Sequence, residues 1–476
     1  MSRTAASEID DIQAIVDRGF GSLRGARYLL LRITDPAAAR AWLRQQPVTS
    51  LGAAKASRLP RVDQIAFTAA GLRAIGFDPD TVPGFAPEFL DGMAGDERRS
   101  HRLGDEGNNA PEYWAWGTGA AEPHVLLILM AAEDEIAVME AELVAALPSA
   151  GLTLLAINPT NGHVGHEPFG FVDGVSQPVM DWDGALKPGG ARDRIYRNRL
   201  AMGEVLLGYP NEYGFVADHP VVGDVGRNGS YLVYRQLEQD VRGFWRWLAA
   251  VAGIDGATAL AEQMVGRTMD GKALAGLPVT KIEGTEDEQN SFTFKADPDG
   301  AACPIGAHIR RANPRSSDDP QGRRGFFRDL LSSLGLKGTA MHDAVAAARF
   351  HRIIRRGRPY GPTIPPAEAM SGDGAGPAEA SGLHFICLNA SLARQFEFVQ
   401  GAWIASHNFA GLSGEADPLL GNRLTANGGL ATDGFGYADA SGCPHMLGRV
   451  PQFVTVKGGA YFFLPGLKGL ATIIAD

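Results

Sequence analysis

Short apolar runs alternating with stretches of helical period divide the chain into two similar successions of elements. Residues 27–33 read as a buried strand, and a helix follows from Pro36, whose ring suits a first helical turn, to residue 45. A strand is expected near 64–67, another over 124–130, a helix over 132–147 that Pro148 ends, and a further strand over 152–157. This strand-helix-strand-strand-helix-strand rhythm is that of a ferredoxin-like α+β unit. Beyond a polar, Gly/Arg-rich linker at 183–198, the rhythm recurs as strand 230–235, helix 239–252, strand 384–388, helix 392–404 and strand 460–464. The order of elements repeats; the sequence itself does not. Two related antiparallel sheets packed together with helices outside would accommodate both halves, with residues 1–185 as one domain and 186–476 as the other.

Two stretches of the second half depart from this rhythm. A polar run at 316–322 precedes a helical segment at 326–334, and a small-residue tract at 365–381 reads as a mobile surface loop.

Composition narrows the class. The 476 residues are 45% hydrophobic and 21% charged, as in an ordinary globular protein long enough to enclose a large cofactor. A net charge of -10 argues against nucleic-acid binding. Neither a signal sequence nor a membrane span is seen, so a cytoplasmic location is expected. The three cysteines, Cys303, Cys387 and Cys443, lack the spacing of a zinc site, of covalent c-type haem or of a disulfide framework.

The segment from Glu167 to Pro178 carries the first chemical signal. Asp173 lies among Phe169, Phe171, Val172 and Val175, between Gly170 and Gly174, so its carboxyl is expected against a hydrophobic wall. Burial there would raise its pKa and hydrogen bonds would lower it, the balance expected of a proton shuttle. The alternative is an Asx-type turn in which Asp173 bonds its own backbone.

Two further segments change the weighting: Cys303 to Arg315, containing Gly306-Ala307-His308-Ile309, and His351 to Gly361, containing Ile353-Ile354-Arg355. Together with Asp173 these resemble the dye-decolorizing peroxidases, haem enzymes that reduce hydrogen peroxide. The similarity extends to Asn228-Gly229-Ser230-Tyr231, Arg394-Gln395-Phe396-Glu397 and Gly458-Gly459-Ala460-Tyr461. It implies an α+β fold of two ferredoxin-like domains, of the dimeric α+β barrel type, with the distal motif in the first and the haem site in the second.

The resemblance also implies roles. His308 would be the axial ligand of one haem b per chain, the alternative being a core histidine. Asp173 would relay a proton and Arg355 would stabilise negative charge, while Arg356 and Arg358 are expected on a solvated face. Arg315 would meet a haem propionate, or else pair at the surface with Asp318 or Asp319. Leu383 and Phe385 would form the apolar distal wall, or serve only as strand core. Asp417, with Glu397 as second candidate, would accept the other ring proton of His308. Trp403, Trp245 and Tyr360 could pass electrons to the surface, or simply fill the core.

The expected function is therefore reduction of hydrogen peroxide with oxidation of phenolic or dye-type aromatic reductants. No membrane or nucleic-acid partner is expected, and a homo-oligomer is compatible with the sequence. A haem-binding or haem-delivery protein is the alternative, although simple binding needs neither Asp173 nor Arg355. A third reading is a metal-dependent hydrolase using Asp173 with His163 and His166, a pair whose spacing on a Gly-rich loop gives no reliable ligand geometry.

Overall fold

Runs such as Leu29-Leu30-Leu31 and Leu126-Leu127-Ile128 are continuous rather than alternating because their strands are buried on both faces. The computed structural model describes residues 8–163, 165–186, 197–277, 282, 288–315, 347–371, 379–423, 431–439 and 441–475. In chain order the strands are β1 (Gly25–Ile33), β2 (Arg61–Phe67), β3 (Val125–Ala131), β4 (Leu152–Pro159), β5 (Val179–Met180), β6 (Arg199–Leu200) and β7 (Ser230–Gln239). They continue with β8 (Ile354–Arg355), β9 (Arg358–Tyr360), β10 (Gly382–Asn389), β11 (Phe435–Ala438), β12 (Pro444–Leu447) and β13 (Val454–Leu464).

The main sheet runs β4-β1-β3-β2-β13-β7-β10-β8, with β9 also paired to β10. Within β4-β1-β3-β2 the first, second, third and fourth strands of the set lie in the order 4-1-3-2, and β13-β7-β10-β8 repeats that order. These are the two ferredoxin-like α+β units, joined at Phe67 and Phe463. Their inner faces close on each other. Leu30, Leu126, Leu232, Ile386 and Phe462 share one buried cluster. The Tyr28 and Tyr234 rings lie 5.5 Å apart, and Asn158 Nδ2 donates to Tyr234 Oη at 2.7 Å, tying β4 to β7. The opposite faces, with Leu29, Leu127, Val233 and Tyr461, pack under the helices.

Several expectations change here. The helix expected over 392–404 is wound as two π-helical segments, Ala393–Glu397 and Val399–Ala405, a geometry often met beside functional sites. The helix expected over 239–252 continues to Val265, bending at Gly253, where φ is +76°. The tract at 365–381 begins with the helix Pro366–Met370, docked on Val241–Val265 through Glu368 and Arg242 at 2.7 Å, so its first part is ordered structure. The linker at 183–198 is pinned at both ends, because β5 and β6 pair in parallel. The helix expected over 326–334 lies outside the described residues.

Arg356 and Arg358 do not form a solvated face. Arg358 is 5% exposed and donates to the carbonyls of Gly19, Phe20 and Leu23 at 2.6 to 2.8 Å. Arg356 donates to Ile15 and Val16 O at 2.7 and 2.8 Å. The N-terminal segment turns its carbonyls inward, and these guanidinium groups satisfy them.

Candidate active site

The turn that carries Asp173 is built around Glu167. Its carboxylate accepts from the N–H groups of Phe169 and Phe171 at 3.0 and 2.9 Å and from Gln239 Nε2 at 2.8 Å. Gly170, at φ +103°, supplies the left-handed backbone that lets the chain fold over that carboxylate. Phe169 and Phe171 are buried in the core and anchor the turn, with Trp245 Nε1 donating to Phe169 O at 3.1 Å. Asp173 itself is only part-buried. Its side chain is 40% exposed, accepts from Gly174 N at 2.6 Å, and lies 3.3 Å from Arg355 Nη1.

Arg355 ends the short edge strand β8, opposite Cys387 of β10. On β10, Leu383 and Phe385 stand beside Leu237 and Arg235 of β7, and all four line one cavity. Asp173, Arg355, His308 and Arg315 line the same cavity. The structure brings these sequence-predicted residues together from segments far apart in the chain.

His308 opens the helix His308–Ala312, a turn too short to emerge from periodicity. Its Nδ1 faces Asp417 Oδ2 at 2.9 Å, and Asp417 Oδ1 accepts from Leu419 and Leu420 N–H, both at 2.9 Å. With Asp417 accepting only, His308 donates from Nδ1 and keeps Nε2 as a lone-pair nitrogen. Burial pushes the imidazole pKa down, but Asp417 prevails and the net shift is upward. Burial likewise pushes Asp417 up, yet His308, Arg311 and the Leu420 N–H hold it below the ordinary carboxyl value.

The second candidate, Glu397, belongs elsewhere. It accepts from Tyr461 Oη at 2.9 Å and pairs with Arg99 and Arg102, each at 3.0 Å. Arg315 is 2% exposed, so the surface reading fails. Its guanidinium donates to the carbonyls of Asn290 and Phe292 at 2.9 Å and to Asn290 Oδ1, and lies 3.8 Å over the Phe292 ring. Asp318 and Asp319 lie outside the described residues. His163 and His166 are exposed, and no group of metal-ligating side chains is found among the described residues. Trp403 lines the cavity, Trp245 is core, and Tyr360 stacks on His384 at 4.5 Å.

Sequence reasoning missed three parts of this site. Glu167 and Gln177 stand in the quoted motif, but their partners Gln239 and Arg355 are distant, leaving no local signal. Burial pushes the Glu167 carboxyl up to about 7, against the pull of Gln239 and the two backbone donors. Arg235 and Asp105, 3% and 2% exposed, form a buried ion pair in the cavity wall.

No family model matches the chain. Among curated relatives, dye-decolorizing peroxidase msp1 of Mycetinis scorodonius is 27% identical over 440 residues, covering 86% of this chain and 76% of that protein. Multifunctional dye peroxidase DyP2 of an Amycolatopsis species is 27% identical over 485 residues, covering 98% and 93%. Among solved structures, a dye-decolorizing peroxidase in complex with 2,6-dimethoxyphenol superposes with a TM-score of 0.74 at 24% identity, over 98% of this chain and 99% of that one. A fungal DyP-type peroxidase from Auricularia auricula-judae superposes with a TM-score of 0.71 at 23% identity, over 100% and 99%. Over nearly its whole length the chain is thus similar in sequence, and alike in fold, to the dye-decolorizing peroxidases.

Proposed function

We propose that the protein is a haem b peroxidase, with one haem per chain, that reduces hydrogen peroxide and oxidises phenolic or dye-type aromatic compounds. The observation that carries this reading is the convergence of His308, Asp173 and Arg355 on one cavity walled by Leu383 and Phe385. The donor chemistry fits a haem. Asp417 occupies Nδ1 of His308, which leaves Nε2 to serve as the iron ligand, and the hydrogen bond makes the ring a stronger donor. Arg315, in the same cavity wall, would meet a propionate.

Bound haem supplies the redox-active iron at which peroxide is reduced and through which electrons from the aromatic substrate pass. Peroxide takes up two electrons and two protons and leaves as two waters. Asp173 accepts a proton from one peroxide oxygen and delivers it to the other, so that the departing group leaves neutral. The Arg355 guanidinium stabilises the negative charge that builds on that oxygen. Leu383 and Phe385 line the cavity and would keep large molecules from the interior, so bulky dyes would be oxidised without reaching it. Haem carriage alone needs no Asp173–Arg355 pair, which favours the enzyme.

A reducing cytoplasm suits the unpaired Cys303, Cys387 and Cys443. Among the described residues no helix is long and apolar enough to cross a membrane. The test is spectroscopic. Protein loaded with haem should show a Soret band that changes within seconds of mixing with peroxide and returns on addition of a phenol. A haem complex whose spectrum ignores peroxide would overturn the reading.

A further inference from the structure

The Asp173 turn and the Arg355 strand come from opposite halves of the chain, yet one side chain joins them directly. Gln177 Oε1 accepts the backbone N–H of Arg355 at 3.1 Å, across 178 residues of sequence. This is an edge contact. Arg356 N donates inward to Ile386 O of β10 at 2.7 Å, so by strand alternation the N–H of Arg355 faces out from β8, the last strand of the sheet. Gln177 stands in for the missing next strand.

The main chain of Gln177 is itself fixed. Its carbonyl accepts from Asn198 Nδ2 at 2.7 Å and from Asn290 Nδ2 at 3.4 Å. Asn290 in turn accepts from Arg315 through both its carbonyl, at 2.9 Å, and its side-chain oxygen. We infer that Gln177 is a positioning residue that sets the Asp173–Arg355 separation and ties it, through Asn290, to Arg315. The inference rests on the peroxidase reading for its catalytic consequence, while the clamp itself can be tested without haem.

Gln177→Met keeps the length of the side chain and removes the acceptor, and Gln177→Glu restores an acceptor. In haem-free protein, hydrogen exchange of the Arg355 amide should quicken about tenfold or more in Q177M, as expected when an amide loses its partner, and recover protection in Q177E. In haem-loaded Q177M, haem content should match the wild type and the peroxide reaction should slow by roughly 10-fold to 100-fold. Haem-loaded Q177E, which restores the acceptor to Arg355 N–H, should recover that rate.

A loss of folding in Q177M that Q177E rescues, exchange included, still supports the clamp. Unchanged Arg355 exchange in folded Q177M overturns it. Altered exchange with an unchanged peroxide rate overturns the positioning role. If the wild type itself ignores peroxide, the functional reading fails, and the exchange result still decides the clamp.

Discussion

Asp417 Oδ2 lies 2.9 Å from His308 Nδ1, and the other oxygen of the same carboxylate is held by two backbone N–H groups. The carboxylate is therefore fixed by the main chain before it orients the imidazole. On the proposed reading the His308 ring would hold the haem iron, so His308→Ala should lose or severely weaken haem binding. Asp417→Ala should retain haem more weakly, since loss of such an outer partner typically costs 10-fold to 100-fold in metal affinity. Haem titration followed by absorbance measures both, and unchanged haem content in H308A would mean that another residue is the ligand.

Arg235 and Asp105 are each almost fully buried, so each depends on the other for compensation. Arg235→Met should cost about 3–5 kcal/mol, because it strands a buried carboxylate. Adding Asp105→Leu should recover most of that loss. Urea unfolding of the haem-free variants is the measurement, and a double variant no more stable than R235M would contradict this account.

Glu167 gives stability a defined pH dependence. Burial lifts its carboxyl to about 7 in the folded protein from an ordinary value of 4.5. Below the lower value both folded and unfolded states hold the proton. Between the two values the folded state retains it more tightly, so this group's contribution falls as pH rises, and above about 7 it levels off. Glu167→Gln has no such titration. The stability of E167Q relative to wild type should therefore improve as pH rises through that window, whatever its starting deficit. A gap that stays constant with pH would show that Glu167 remains ionised throughout.

Much of the fold was legible because strands buried on both faces write themselves as unbroken apolar runs, as in β1 and β3. The π-helical winding of 393–405 and the bend at Gly253 depend on packing that periodicity does not encode. His308, Asp173 and Arg355 were legible through motif resemblance, and their partners were less so. Asp417 stands 109 residues from His308, and Gln177 stands 178 residues from Arg355. Arg358 was misread for a related reason. Nothing in Arg355-Arg356-Gly357-Arg358 reveals that the carbonyls of Ile15 and Val16 await Arg356 and those of Gly19, Phe20 and Leu23 await Arg358.

The central claim is that Asp173 moves the proton while Arg355 supplies charge. Rapid mixing of haem-loaded wild type, Asp173→Asn and Arg355→Leu with peroxide tests it most directly. Both variants should bind haem and react more slowly, by about 10²-fold or more, as expected for loss of a general base or a preorganised charge. A D173N variant that reacts at the wild-type rate beside an inert R355L would contradict the account, leaving Asp173 as a residue of the turn alone.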